Sequence, residues 1–156
     1  MAKHEIKIEK SGTQYNVSVF GVIDEDVDFN NFSLAGAARI DLKLGNIKSI
    51  NSCGIREWIK WIGTAGSAQV NYIECPKIIV DQINMVQGFL PTNGKIQSFY
   101  VPYYNDESGS EKSVLFTLGK EYTETSLTPP GDVKDDEGKP MEMDVVEAKY
   151  FKFIKK

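Results

Sequence analysis

The order of strand-like and helix-like segments predicts an α/β fold: a small mixed β-sheet with helices mainly on one side, followed by a β-rich C-terminal extension. Three observations lead there. Ala38 to Leu44 alternates, with Ile40, Leu42 and Leu44 against Arg39, Asp41 and Lys43, as a half-buried strand does. Directly after it, Ile55, Trp58, Ile59 and Ile62 recur at i, i+3, i+4 and i+7, one stripe of a helix. From Asn105 onward the chain changes to short apolar runs separated by polar, Pro-containing loops.

Taken in order, Glu5–Glu9 and Tyr15–Val22 form two strands around the turn signal Ser11-Gly12-Thr13. Ile23 to Ala37 opens with Asp24, Glu25, Asp26 and Asp28, a run read as a solvated face, and its Phe29, Phe32 and Ser33 fit a short helical turn. After the central helix and a small-residue loop, Gln69–Glu74 is the next strand, with Val70 and Tyr72 inward and either Cys75 or Ile73 beside them. Pro76 opens a second helix with Ile79, Ile83, Val86 and Leu90 as its core stripe, ended by Gly88 and Pro91. Met85 and Phe89 lie off that stripe, marking either a wider buried face or a contact surface. Ile96 to Tyr104 is an aromatic-rich strand that closes a first unit, 1–104, and 105–156 is the extension. In the extension, Val114–Leu118 is a strand, and Met143–Ile154 is a strand or a helix.

Composition narrows the function. At 156 residues the chain can bury a core without staples. Its net charge of −4 and the absence of a basic run argue against nucleic-acid binding. There is no signal-peptide h-region and no apolar run of membrane-span length, so a cytoplasmic location without membrane insertion is expected. Cys53 and Cys75 then read as reduced packing residues. The single histidine, His4, offers no partner for a cysteine nucleophile, and no phosphate-binding glycine loop is present. The expectation is a protein without enzymatic activity, cofactor or metal.

The junction before the central helix, Asn51-Ser52-Cys53-Gly54, carries the most specific signal. Either Asn51 or Ser52 is the natural N-cap, and a hydroxyl there faces unpaired N–H groups and the positive end of the helix dipole. The stretch resembles the signature of STAS domains, the anti-sigma factor antagonist family, where an aspartate-serine-serine-glycine motif stands at the same junction. Ser52 matches the serine that accepts a phosphate in regulatory members. Asn51 replaces the aspartate, Cys53 the second serine, and Gly54 matches the glycine. The resemblance implies a STAS-like fold and a bacterial signalling module. It would be switched by phosphorylation at Ser52 and bind a kinase-like anti-sigma factor or a signalling scaffold. The residues presented to that partner are Asn51, Ser52, Cys53, Arg56, Glu57, Lys60 and Trp61. Trp61 lies at the edge of the stripe, where it is either an interface anchor or a cover for the core. Two alternatives stay open: a constitutive adaptor, and a small-ligand-sensing domain without phosphorylation. The extension resembles a zinc ribbon that has lost its cysteines, with Asn105-Asp106-Glu107-Ser108 and Lys134-Asp135-Asp136-Glu137 at the two knuckle positions. Neither offers a thiolate or imidazole, so no zinc is expected.

Overall fold

The structure, a computed structural model, describes residues 3–154. Strands β1 (His4–Ser11), β2 (Gln14–Ile23) and β3 (Arg39–Ile50) lead into helix α1 (Ser52–Gly63). Strand β4 (Gln69–Ile73), helix α2 (Lys77–Met85) and strand β5 (Gly94–Ile96) complete a five-stranded sheet in the order β1-β2-β3-β4-β5. Only the β1–β2 pair is antiparallel, so the sheet is mixed. Strands β6 (Ser98–Tyr104), β7 (Glu111–Thr117) and β8 (Glu142–Met143) form a second, antiparallel sheet in the order β7-β6-β8, and the short helix α3 (Glu147–Tyr150) follows.

Alternation decides which face of the first sheet is buried. Val17, Val19, Ile40, Leu42, Leu44, Val70 and Tyr72 point to one side and are buried. Helix α1 lies over that side through Trp58, Trp61 and Ile62. The other face is polar. Gln14 donates to Asp41, Asn71 donates to Asp41, and Gln69 and Gln97 both donate to Asn71, a row of amides crossing four segments. Asn71 is 2% exposed yet hydrogen-bonded at both its amide nitrogen and its oxygen, which is how a buried amide is tolerated. Beside Gly21 the chain packs so closely that a Cβ would lie 2.1 Å from the Lys3 carbonyl oxygen, and the residue adopts φ +88°. There β2 and β3 shift register, so β3 runs twelve residues and reaches α1 without a loop.

The short turn expected at Phe29 and Phe32 is present, closed by the Phe32 N–H on the Phe29 carbonyl, and Phe29 is drawn into the core by its stack on Trp61 at 4.3 Å. Two expectations are corrected. Helix α2 stops at Met85, because Val86 is extended and delivers Phe89 beneath Trp58. Of the off-stripe pair, Phe89 is therefore buried and Met85 is 71% exposed. The single strand expected over 96–104 is two strands in different sheets, broken at Gln97, so the change of sheet precedes the expected boundary at 104/105. The two sheets share one core: Phe99 of β6 packs with Phe116, Tyr122, Phe151 and Phe153, and Cys75 after β4 bridges to Phe99. Cys75, rather than Ile73, is the fully buried neighbour of Tyr72, and burial pushes its thiol pKa up, which keeps it protonated and unreactive.

In the extension the turns at 105–108 and 134–137 are hydrogen-bonded to each other. The Asn105 side-chain oxygen accepts from the N–H groups of Glu107 and Ser108. Asp135 Oδ1 accepts from the N–H groups of Glu137 and Lys139, and its Oδ2 accepts the Ser108 hydroxyl at 2.8 Å. A carboxylate thus joins the two turns. Backbone donors, foremost the Lys139 N–H, and the Ser108 hydroxyl hold Asp135 below the usual carboxylate range.

Two outcomes follow from this packing. Trp58 is fully buried, so Trp58→Ala should cost about 3–5 kcal/mol in denaturant unfolding, whereas exposed Lys60→Ala should change stability by less than about 0.5 kcal/mol. The Asp135 stabilisation is fully present above the unfolded-state carboxylate pKa and is lost as pH falls through the lowered folded value. A melting curve series from neutral to acidic pH should therefore show a fall that Asp135→Ala reduces, with the variant already less stable at pH 7.

Candidate functional site

Three chain segments converge at the start of α1. The Asn51 N–H donates to the carbonyl of Ile23, the last residue of β2, and β3 ends at Ile50. Asn51 is extended (φ −105°, ψ −179°) and caps the helix, its side-chain oxygen accepting the Gly54 N–H at 2.9 Å. Of the two residues that could cap, Asn51 does so, and the Ser52 hydroxyl is left for other roles. Gly54 is buried against β2: a Cβ there would sit 2.2 Å from the Ile23 carbonyl oxygen. Only glycine lets the first turn of α1 approach the sheet this closely.

Ser52 is exposed as the first residue of α1. Helix geometry leaves the N–H groups of this first turn without intrahelical acceptors, and the dipole is positive here. Ser52, Arg56 and Lys60 follow one another at i, i+4 and i+8, and all three are exposed, so a basic stripe descends from the serine. Cys53 and Glu57 are half-buried, and Lys60 lies 3.4 Å from Glu57. The expectation that Trp61 stands at the surface of this face is corrected. It is 4% exposed, stacks on Phe29, and donates its indole N–H to the Phe32 carbonyl at 2.7 Å. The stripe facing inward is Gly54, Trp58, Trp61 and Ile62, with Ile55 and Ile59 only half-buried. The helix is rotated from the sequence-derived phase because residues 24–38 supply Phe29 and Phe32 as a second wall.

Glu25 is the residue the sequence did not single out. Its carboxylate accepts from the Asn51 side-chain amide at 2.9 Å, across 26 positions. A carboxylate therefore stands beside the motif although Asn51 itself carries none. Next to it, Asp24 is 7% exposed and held below the usual carboxylate range, chiefly by the Asp26 N–H and then by Lys3. Lys3 pairs with both Asp24 and Asp26, which fixes this acidic corner and raises the lysine's own pKa. No spacing rule connects Glu25 to Asn51; only the return of β2 beside β3 does.

A second feature lies away from this junction. Between α2, Tyr104 and the C-terminal segment is a cleft of about 900 Å³. Met85, Met143, Val145, Val146 and Tyr150 supply apolar lining, and Lys77, Lys149, Lys152, Asp81 and Asp144 the charged part. Met85 and Val146 are 71% and 63% exposed. Ser52 lines neither this cleft nor the smaller hollow beside Trp61. Among the described residues no group of three His, Cys, Asp or Glu side chains gathers as a metal site, and no helix is long and apolar enough to cross a membrane. No protein-family model, curated protein or solved structure matches the chain.

The division of labour at the junction is measurable. Asn51→Ala should cost about 0.5–2 kcal/mol through loss of the cap. Ser52→Ala should stay within about 0.5 kcal/mol of the parent. Gly54→Ala should be the most damaging of the three in the same urea titration, because backbone rather than a flexible side chain blocks the added methyl.

Proposed function

We propose that this chain is a non-enzymatic regulatory protein-binding module of STAS type, with Ser52 as a phosphate-accepting switch on the surface it offers a partner. The observation that carries the reading is the uncommitted, exposed Ser52 hydroxyl on the first turn of α1, with capping assigned to Asn51. Asn51, Ser52, Arg56 and Lys60 form the outward surface, with Cys53 and Glu57 at its margin. A phosphate on Ser52 would add about −1.5 to −2 charges. The free N–H groups, the helix dipole and Arg56 one turn below favour it within the fold. The Glu25 carboxylate, held by the Asn51 amide, opposes it. A partner docked over the loop would have to desolvate the added charge, so phosphorylation releases it. The partner class is a kinase-like anti-sigma factor, and a cytoplasmic setting goes with it.

A second reading, a small-ligand-sensing domain, is favoured by the cleft beside α2, whose volume and apolar lining fall within the range of ligand sites. A constitutive adaptor is what remains if Ser52 carries no phosphate.

The test uses a kinase-like ATPase recovered by affinity capture from the native host. Phosphate transfer from ATP should map to Ser52 by mass spectrometry. Ser52→Asp should leave the melting temperature nearly unchanged while weakening binding to the ATPase. Unfolding of Ser52→Asp would sink the switch, and unaltered affinity with no phosphate transfer would make the protein a constitutive adaptor.

A further inference from the structure

Strand β1 is the outer strand of the five-stranded sheet, and its pairing with β2 runs unbroken from His4 to Ser11. Among the described residues no strand pairs with its other edge. An edge of eight residues exposes a row of unpaired N–H and C=O groups, which proteins blunt with charged side chains, proline, bulges or short strands. Proline and bulges are absent from β1. What the edge has is charge. Glu5, Lys7 and Glu9 point to the polar face of the sheet and are exposed, while Ile6 and Ile8 point to the core side.

The sign of that charge alternates, and alternation discriminates between pairings. A parallel pairing of the same two edges would turn one copy face over and set the charged row of one beside the apolar side of the other. In an antiparallel two-fold pairing centred on Lys7, Lys7 would face Lys7 and Glu5 would face Glu9, like on like. A two-fold axis through Ile6 instead places Lys7 opposite Glu5 of the other copy, twice, and Ile6 opposite Ile6. An axis through Ile8 places Lys7 opposite Glu9, twice, and Ile8 opposite Ile8. Opposite charges directly across a strand pair stabilise it, and like charges destabilise it. The edge is therefore charge-complementary when the axis passes through Ile6 or Ile8, and self-repelling when it passes through Lys7, even though that register would set Ile6 opposite Ile8 twice.

We propose that β1 is a homodimer interface: a second copy of this chain adds its β1 antiparallel to this one and continues the five-stranded sheet across a two-fold axis. The contact is isologous, so it closes at two copies and leaves no free β1 edge for further growth. One strand pair is a small interface, so the dimer is concentration-dependent and weakens with salt. The proposal is independent of the role of Ser52.

Charge exchange on the full chain tests it, read by sedimentation velocity from low micromolar to submillimolar concentration at modest salt. The parent should shift from monomer to dimer over that range. Lys7→Glu makes the outward row all acidic and should weaken self-association roughly tenfold. The double variant Glu5→Lys/Glu9→Lys makes it all basic and should be weakened likewise. Mixing the two variants should restore the dimer, since each now complements the other. Recovery on mixing also shows that both variants are folded. A parent that stays monomeric throughout, a Lys7→Glu variant that dimerises as the parent does, or a mixture that fails to associate would each overturn the proposal.

Discussion

The fold depends on a buried relay of two aromatic hydrogen bonds. The Trp58 indole N–H donates to the Tyr72 hydroxyl at 3.0 Å, and that hydroxyl donates to the Phe89 carbonyl at 2.5 Å. None of the three side chains is exposed. Each polar group would carry a desolvation cost of about 1–3 kcal/mol if left unpaired, so the three positions must be right together. Trp58 brings α1, Tyr72 brings β4, and Phe89 brings the segment after α2. Burial pushes the Tyr72 hydroxyl pKa up, which keeps it a donor at every physiological pH. Around the relay, Trp58 lies parallel to Phe89 at 5.4 Å and edge-on to Phe29, Trp61 and Tyr72. A helix fixed in rotation by one tryptophan has its outward face fixed as well.

That rotation determines what the junction can do. With Trp58 and Trp61 both inward, the side chains left to solvent are Ser52, Arg56 and Lys60. The first turn is pressed onto the Ile23 carbonyl at Gly54, so it cannot swing away without breaking the contact between α1 and β2. Asn51 satisfies one helical N–H and reaches Glu25 with its other end, tying the acidic loop to the same point. The first turn of α1 is thus held from two sides, while the Ser52 hydroxyl stays exposed on it.

The second sheet is tied to the first by side chains rather than by strand pairing alone. Phe99 gathers rings from β7, from the loop at Tyr122 and from the C-terminal segment. Asn84 of α2 donates to the Tyr150 carbonyl and accepts the Phe153 N–H, fastening that segment to α2. The far end of the sheet is closed by Asn105, Ser108 and Asp135. Two turns are held together there by a carboxylate and a hydroxyl.

Local rules sufficed for whatever depends on neighbours in sequence. Alternation gave β1 to β4, the 3.6 period gave α1, Gly12 gave the first turn, and the α/β class followed from their order. The candidate serine was legible for the same reason, since a strand-to-helix junction is a local event. Where contacts are long-range the sequence was silent or misleading. Helix α2 ends early because Phe89 is needed under Trp58, and β5 and β6 part at Gln97 because their partners lie in different sheets. Trp61 looked like a surface residue because its cover, Phe29 and Phe32, comes from a loop without periodicity. Glu25 could not be placed beside Asn51 by any spacing. The amino-acid order thus determined which segments are strands and helices and placed Ser52 at the strand-to-helix junction. Tertiary packing decided how α1 is rotated and which carboxylate stands beside Asn51, because both are set by groups far apart in the chain.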